Sequence, residues 1–296
     1  MDAPPSTRAA VSVTPVVEAG RYGLRWGDWA FEVDPAVGGR VVAYRLGGQN
    51  LLVGPERDPG NYGSTFWTGP QSAWGWPPVA EIDHAPYAAS IEGTAIVLRG
   101  PTSPLLGVSV EKRFTADQKR NAIRSEFRIR NVGSTAVVLA PWQISRVPSG
   151  GLSFFPTGDG AFAPSNLAVQ QAGGITWYAF DAAAVTDHQK LFADGREGWL
   201  AHVAGDALFV KRFAPVPRAR QAPGEAQIEI YATPAHTYVE IEAQGSYDEI
   251  PPGETLTWEV TWLARRLPAG VTAAVGDPAL ADFVRTLVAA DARATE

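Results

Sequence analysis

The 296-residue chain contains no cysteine, which excludes a disulfide framework and a cysteine-ligated zinc site. Its four histidines, at positions 84, 188, 202 and 236, lie far apart, and neither an HExxH nor an HxH pair occurs. The GxSxG elbow, the Walker loop and the dinucleotide fingerprint are absent as well. The sequence therefore predicts no metal site and no organic cofactor.

Positive charge is scarce too, with 25 Lys and Arg against 31 Asp and Glu and a net charge of −6. No basic patch is available to neutralise phosphates, so no nucleic-acid partner is expected. No apolar run approaches the ~20 residues of a membrane helix, so no membrane partner is expected either. The opening MDAPPSTRAA resembles a mature periplasmic or secreted chain with an added Met; a cytoplasmic location is the alternative. Oligomeric state stays open.

Apolar and polar residues alternate along most of the chain. From Ala122 to Arg130, four side chains starting at Ile123 face one way and the Arg and Glu side chains face the other, as in a half-buried antiparallel strand. Similar runs, separated by Gly, Pro, Asn and Asp, give more than ten strands. The fold class is therefore all-β, an antiparallel sandwich. Residues 1–18 are expected to be a disordered tail, and residues 19–296 a single domain.

One helix is expected at the C-terminal end, over residues 278–291. Asp277 suits the N-cap position and Pro278 the first helical position. An apolar stripe follows at helical spacing: Leu280, Phe283, Val284, Leu287 and Val288. This stripe predicts that the helix covers part of a sheet.

Residues 61–78, NYGSTFWTGPQSAWGWPP, carry Phe66 and three tryptophans on a Gly- and Pro-rich backbone. Such a backbone rules out a regular helix and disfavours a long central strand. Aromatic faces beside Asn61, Thr68, Gln71 and Ser72 suit a ligand with apolar C–H faces and a rim of hydroxyls, which describes a sugar. The alternative is that the indoles of Trp67, Trp74 and Trp76 plug the end of the sandwich.

The segment 236–244 places polar and ionisable side chains on one strand face. Alternation groups His236, Tyr238, Glu240, Glu242 and Gln244 opposite Thr237, Val239 and Ile241. Neighbouring carboxylates on such a face are roughly 7 Å apart, at about 3.3 Å per residue, and perturb each other's pKa. Glu240 and Glu242 are therefore candidate acid–base groups, unless the strand simply faces solvent.

Three further candidates lie elsewhere in the chain. Arg146 shares a face with Trp142 and can bind a hydroxyl pair or a carboxylate through its guanidinium fork, or pair with an internal acid. His84, next to Asp83, is a candidate acid or base. Lys211 is a cation that would offset the charge of the glutamates, although the short Lys-Arg pair also fits a solvated strand face.

Several segments together resemble the galactose mutarotase (aldose 1-epimerase) superfamily. They are VGGRVVAYRLGGQNLL at 37–52, PLLGVSVEKRFT at 104–115, IRSEFRIRNVGSTAVVLAPW at 123–142, and VEIEAQGSYDEIPPGETLTWEVTWLARRL at 239–267. Residues 61–78, the Trp-rich segment, are closer still to an uncharacterised domain-of-unknown-function branch of that superfamily. The resemblance implies a β-supersandwich whose active cleft lies on the concave face of the larger sheet.

The resemblance also implies a role for Glu242, which matches the general base of the epimerases. The general-acid histidine is missing, because residues 140–143 read APWQ, and the second histidine is missing near residues 61–63. An acid would have to come from His84, His236 or Glu240.

Two functions follow as expectations. The first is a carbohydrate-active enzyme of epimerase, mutarotase or glycan-processing type, with Glu242 as base. The second is a non-catalytic carbohydrate-binding protein. Either would bind a mono- or oligosaccharide in a Trp-lined cleft through residues Asn61, Trp67, Gln71, Trp74, Trp76, Trp142, Arg146, Lys211 and Tyr238.

Overall fold

The computed structural model describes residues 13–160 and 166–292, whose regular structure is almost entirely β-strand. The strands are β1 (Val16–Glu18), β2 (Arg21–Trp26), β3 (Trp29–Asp34), β4 (Arg40–Leu46), β5 (Gln49–Asn50), β6 (Ser64–Gly69), β7 (Ala88–Glu92), β8 (Ala95–Arg99), β9 (Val108–Asp117), β10 (Ala122–Asn131), β11 (Val137–Pro148), β12 (Leu152–Pro156), β13 (Gln170–Ala172), β14 (Ile175–Ala179), β15 (Gln189–Ala193), β16 (Trp199–Ala204), β17 (Ala207–Phe213), β18 (Ile228–Ala232), β19 (Tyr238–Gln244), β20 (Asp248–Ile250) and β21 (Thr255–Arg266). The α-helices are α1 (Ala80–Asp83) and α2 (Pro278–Ala292).

These strands build two antiparallel sheets. The eleven-stranded sheet runs β1-β2-β3-β4-β6-β11-β19-β18-β15, with β5 added to β4 and β20 to β11. The ten-stranded sheet runs β13-β14-β12-β16-β17-β21-β10-β9-β8-β7. The prediction of an antiparallel all-β sandwich is therefore confirmed. Residues 1–12 of the predicted tail lie outside the described residues, whereas Val16–Glu18 pairs with β2 as a strand.

The core lies between the sheets and is rich in aromatic rings. Tyr44 of the eleven-stranded sheet packs 5.5 Å from Trp262 of the ten-stranded sheet, measured between ring centroids. Phe209, on the same sheet as Trp262, lies 4.9 Å from it between ring centroids. Phe31 of the eleven-stranded sheet packs against Phe114 of the ten-stranded sheet. Each such ring buries roughly 150–250 Å², so this aromatic layer fixes how the two sheets face each other.

Two lysines of the ten-stranded sheet cross this core. Lys211 donates to the carbonyl oxygens of Gln143 (3.0 Å) and Ile241 (3.1 Å), on β11 and β19. Lys112 donates to the carbonyl oxygen of Gly38 (2.6 Å). Burial lowers the pKa of both ammonium groups to about 7. The assignment of Lys211 to a sugar-binding surface is wrong, because alternation along β17 turns its side chain inward with Phe209 and Phe213.

Helix α2 covers the outer face of the ten-stranded sheet, as predicted. Leu280 and Val284 are fully buried against side chains of β12, β14, β16 and β17. Asp277 caps the helix by accepting a hydrogen bond from the backbone nitrogen of Ala279 (2.8 Å). Neither helix in the described ranges is long and apolar enough to cross a membrane.

The far end of α2 is tied to the sheet by charge. The side chain of Asp291, 1% exposed, accepts from Arg124 of β10 (3.1 Å) and from Arg212 of β17 (2.8 Å). The two guanidinium groups hold this carboxylate against the sheet and satisfy both of its oxygens.

We expect Asp291→Asn to lower the free energy of unfolding by about 2–4 kcal/mol, because it removes the carboxylate charge that two partly buried arginines share; Arg124 keeps only a longer ion pair to Asp117 (3.4 Å). Urea unfolding at neutral pH measures this. Asp282→Asn is the control on the same helix: its side chain is 75% exposed, so its loss should cost less than about 0.5 kcal/mol. Equal effects of the two substitutions would show that the Asp291 ion pairs do not hold the end of α2 to the sheet.

Candidate functional site

The face of the eleven-stranded sheet that points away from the core carries a row of charged and aromatic side chains. Lys190 of β15 pairs in register with Tyr231 of β18, Tyr231 with Glu240 of β19, and Glu240 with Arg146 of β11. Directly opposed residues have Cβ atoms about 5 Å apart. The intervening residues on the same strands, such as Val239 and Val147, lie in the core. Four strands thus present one continuous polar row to solvent.

A cleft of about 400 Å³ opens above this row. Its volume is in the range of small-molecule sites. The lining side chains are two indoles, two phenols and a set of polar and ionisable groups: Asp58, Asn61, Trp67, Gln71, Trp76, Arg146, His188, Lys190, Tyr231, Thr233, Tyr238 and Glu240.

One wall of the cleft is aromatic and rigid. The Trp67 indole, on the central strand β6, donates to Asp83 (2.7 Å) and meets the Trp142 ring edge to face at 5.3 Å. Pro70 ends β6, and the chain then folds back so that Trp74 and Trp76 also contact the Trp67 ring, at 5.8 and 6.3 Å. The expectation that residues 61–78 disfavour a central strand is wrong for Ser64–Gly69, which form β6, and correct for the residues after Gly69.

The tryptophans divide into two roles. Trp67 and Trp76 line the cleft, and Trp76 is 67% exposed. Trp142 is buried beneath Trp67, and Trp74 packs behind it and donates to the carbonyl oxygen of Thr68 (2.7 Å). Direct sugar contact was expected for all four, and the structure corrects this for Trp74 and Trp142, which support the other two.

Arg146 and Glu240 form an ion pair in the floor, with 2.9 Å between Nε and Oε1. The guanidinium also donates to the Thr65 hydroxyl (3.2 Å) and lies 5.8 Å from the ring centroids of Trp67 and Tyr238. Burial raises the pKa of Glu240 to about 7, although the charge of Arg146 opposes this shift. Arg146 therefore pairs with an internal acid and also lines the cleft.

Lys190 is the centre of a buried charge cluster. Its ammonium lies 2.6 Å from Glu229, 3.2 Å from Glu242 and 4.9 Å from the Trp142 ring centroid. Burial lowers the pKa of Lys190, but the two carboxylates outweigh burial and raise it. Burial also raises the pKa of Glu229 to about 8, against the attraction of Lys190.

Glu242 is fully buried in this cluster and does not line the cleft. The Lys190 side chain, which starts from the edge strand β15, reaches the Glu242 carboxylate (3.2 Å) and covers it. The strand face was predicted correctly, but Glu240 is the glutamate that the cleft exposes. Burial raises the pKa of both Glu229 and Glu240 toward neutral, and the charges of Lys190 and Arg146 oppose this shift.

The loop before β6 is held by its own polar groups. Asp58 accepts from the backbone nitrogens of Gly60 (3.1 Å) and Asn61 (2.8 Å). On the opposite side of the cleft, Gln71 donates its backbone N–H to Glu225. These contacts hold Asn61 and Gln71, both of which line the cleft. Within residues 13–160 and 166–292, no group of three or more His, Asp or Glu side chains is arranged to hold a metal ion.

A family model matches residues 21–265, which is most of the chain. The protein belongs to the DUF4380 family. The description of that family is a domain of unknown function, which agrees with the branch that the Trp-rich segment resembles. None of the curated proteins matches this DUF4380 chain significantly.

Solved structures share the fold of this DUF4380 protein at low sequence identity. The Slr1438 protein from Synechocystis sp. PCC 6803 has a TM-score of 0.58 and 15% identity, over 86% of this chain and 99% of that one. A galactose mutarotase-like protein from Lactobacillus casei ATCC 334 has a TM-score of 0.56 and 8% identity, over 83% and 100%. Galactose 1-epimerase from Lactobacillus acidophilus NCFM has a TM-score of 0.53 and 12% identity, over 87% and 98%. The galactose mutarotase-like fold is confirmed.

The histidines of the DUF4380 protein are distributed differently from the prediction. His84 is exposed beside Asp83 (3.4 Å), and His236 turns away to donate to the carbonyl oxygen of Val185 (2.7 Å). Neither lines the cleft, because His84 ends the short helix α1 and His236 lies in a turn at positive φ before β19. His188 does line it and contacts the Tyr231 hydroxyl. The sequence signal for His188 is its position two residues before Lys190, which on a strand puts both side chains on the same face.

The raised pKa of Glu240 predicts a pH-dependent stability. The unfolded carboxyl has a pKa of about 4.3, and the folded one about 7. Between these values the folded state binds more protons, so the free energy of unfolding falls as pH rises. Glu240→Gln removes this loss. Relative to wild type, the variant should gain about 1–3 kcal/mol between pH 5 and pH 8.

Urea unfolding of both proteins at the two pH values measures this difference. Glu249→Gln on β20, an exposed glutamate, is the matched control and should follow wild type. A Glu240→Gln protein with the pH dependence of wild type would show that the carboxyl titrates normally.

Proposed function

We propose that the cleft binds a sugar and that the protein is a carbohydrate-active enzyme acting on the anomeric centre, in the manner of an aldose epimerase. The observation that carries this proposal is Glu240. It is a carboxyl group with a pKa near 7, and it faces a cleft that also contains an imidazole. A group that titrates near the working pH exchanges protons most efficiently.

The shape and chemistry of the cleft support a sugar as ligand. The Trp67 and Trp76 rings offer faces to the apolar C–H groups of a pyranose. The row formed by Arg146, Glu240 and Lys190 supplies charge-assisted donors and acceptors for hydroxyl groups. These two surfaces border the same space, so a ring would contact both at once.

A complete proton path for ring opening can be written with groups that line the cleft. Ionised Glu240 removes the proton of the anomeric hydroxyl, and protonated His188 donates to the ring oxygen as the bond from C1 to that oxygen breaks. The open-chain aldehyde then forms with all protons accounted for. Reclosure on the other face returns each proton to its source and gives the other anomer.

Glu242, the base implied by the resemblance, acts differently in this proposal. Because Lys190 covers its carboxylate (3.2 Å), Glu242 does not touch substrate and instead positions the Lys190 ammonium. Lys190 in turn lies two strands from Glu240, with Tyr231 of β18 between them. Its positive charge favours the ionised form of Glu240.

The second candidate is a non-catalytic sugar-binding protein. Two observations favour it: the histidines of the epimerases have no counterpart at residues 140–143 or 61–63, and the counterpart of their base is buried. The ligand and the binding surface would be the same, so only a kinetic measurement separates the two functions.

Glu240→Gln is expected to lower the rate of anomer interconversion by about 10²-fold or more, because it keeps the shape of the side chain and removes the base. The assay is NMR exchange between the α and β anomers across a panel of D- and L-aldoses. Glu249→Gln should retain the wild-type rate. A wild-type protein that binds an aldose without accelerating exchange would favour the second candidate.

Trp76→Ala tests the aromatic surface with little risk to folding, since the indole is largely exposed. The substitution should weaken sugar binding by about 1–2 kcal/mol, or roughly 5–30-fold, as measured by calorimetric titration. Trp29→Ala is the control: Trp29 stacks on Trp26 at a distant strand pair and its loss should not change affinity. Unchanged affinity in Trp76→Ala would exclude this indole from the site.

A further inference from the structure

A second cavity of about 320 Å³ lies next to the cleft on the same sheet face. Its lining includes Phe192 and Asp194 of the β15 edge, Arg218 and Gln221, and the loop that carries Glu225. It continues the row of outward side chains along β15, in which Lys190 belongs to the cleft and Phe192 to the second cavity. Residues two apart on a strand are separated by about 7 Å, which is comparable to the spacing of adjacent pyranose rings in a glycan.

A hydrogen bond between Gln71 and Glu225 joins the two cavities at their boundary. Gln71 lines the cleft and donates its backbone N–H to Glu225, which lines the second cavity. Gln244 donates to the other Glu225 oxygen (2.8 Å). Gly69 permits this approach, because a Cβ atom at that position would lie 2.6 Å from the Glu225 carboxylate. A ligand chain passing over this contact would meet polar atoms on both sides.

The second cavity has the surface composition of a sugar site. The Phe192 ring, half-buried and 5.4 Å from the Lys190 ammonium, offers an apolar face. Asp194 is fixed from both sides, by Arg218 (3.2 Å) and by Gln221 (2.9 Å). Because Arg218 neutralises Asp194, these groups present hydrogen-bonding atoms at little net charge, which suits neutral hydroxyls.

We propose that this second cavity is a subsite for the next residue of a neutral oligosaccharide, so that the ligand of the cleft is a glycan of at least two sugar units. The inference rests on the proposed function, since the first unit occupies the cleft. It assigns Phe192 as the stacking surface of the subsite and Arg218 and Gln221 as its polar contacts.

The experiment compares matched monosaccharides and disaccharides by calorimetric titration. The ligands are the free sugars glucose, galactose and mannose, and the reducing disaccharides cellobiose, maltose, lactose and mannobiose, so that every ligand keeps its anomeric hydroxyl. Wild type should bind at least one disaccharide more tightly than its monosaccharide. Phe192→Ala should weaken that disaccharide by about tenfold, the size of one lost aromatic contact, and leave the monosaccharide within about twofold. Trp76→Ala should weaken both.

Arg218→Ala provides a second variant that folds safely, since that side chain is 62% exposed. It should also affect only the disaccharide. If Phe192→Ala and Arg218→Ala leave disaccharide affinity unchanged while Trp76→Ala lowers it, the subsite is excluded and the sugar-binding cleft stands. If neither class of sugar binds wild type, the cleft proposal and the subsite both fail.

Discussion

The ammonium of Lys190 is the group on which the candidate site depends. It lies between the buried carboxylates of Glu229 and Glu242 and above the Trp142 ring. Without this cation, two carboxyl groups would be buried side by side with no charge to pair with, and removing one partner of a buried pair costs several kcal/mol. With the Lys190 ammonium in place, the outer face of the eleven-stranded sheet can bury polar side chains at the base of the cleft. Glu240 lies at the margin of this cluster, where burial raises its pKa.

The aromatic wall depends on a second polar contact. The hydrogen bond from Trp67 to Asp83 links the central strand β6 to helix α1 and fixes the indole that the other tryptophans pack around. Trp142 below and Trp74 behind give this ring the rigidity that a binding surface needs, since an ordered side chain loses little entropy when a ligand arrives. The Trp-rich segment is thus partly packed and partly exposed, since Trp74 packs behind Trp67 whereas Trp76 is exposed at the cleft.

The two sheets have unequal roles. The ten-stranded sheet is covered on its outer face by α2, and Asp291 ties the end of that helix to two strands. The eleven-stranded sheet leaves its outer face open over β11, β19, β18 and β15, where the cleft and the second cavity lie. Lys112 and Lys211 extend from the covered sheet to the backbone of the open one. The open face can therefore hold charged groups while its strands stay anchored from beneath.

Local periodicity in the sequence determined much of this protein. Helical spacing of apolar residues after Asp277 predicted the final helix. Alternation is a property of each strand alone, so it predicted the sandwich and the shared face of Tyr238, Glu240 and Glu242. It also placed Arg146 beside Trp142. What lies opposite that face depends on pairing between strands far apart in the chain, and no local pattern reports it. Only the tertiary structure brought Lys190 and His188 to the cleft, covered Glu242, set the core rather than solvent against the face of β17 that carries Lys211, and placed His84 and His236 outside the cleft. The reason is physical: side-chain direction is fixed by the residue's own strand, whereas burial and charge partners are fixed by the neighbouring ones.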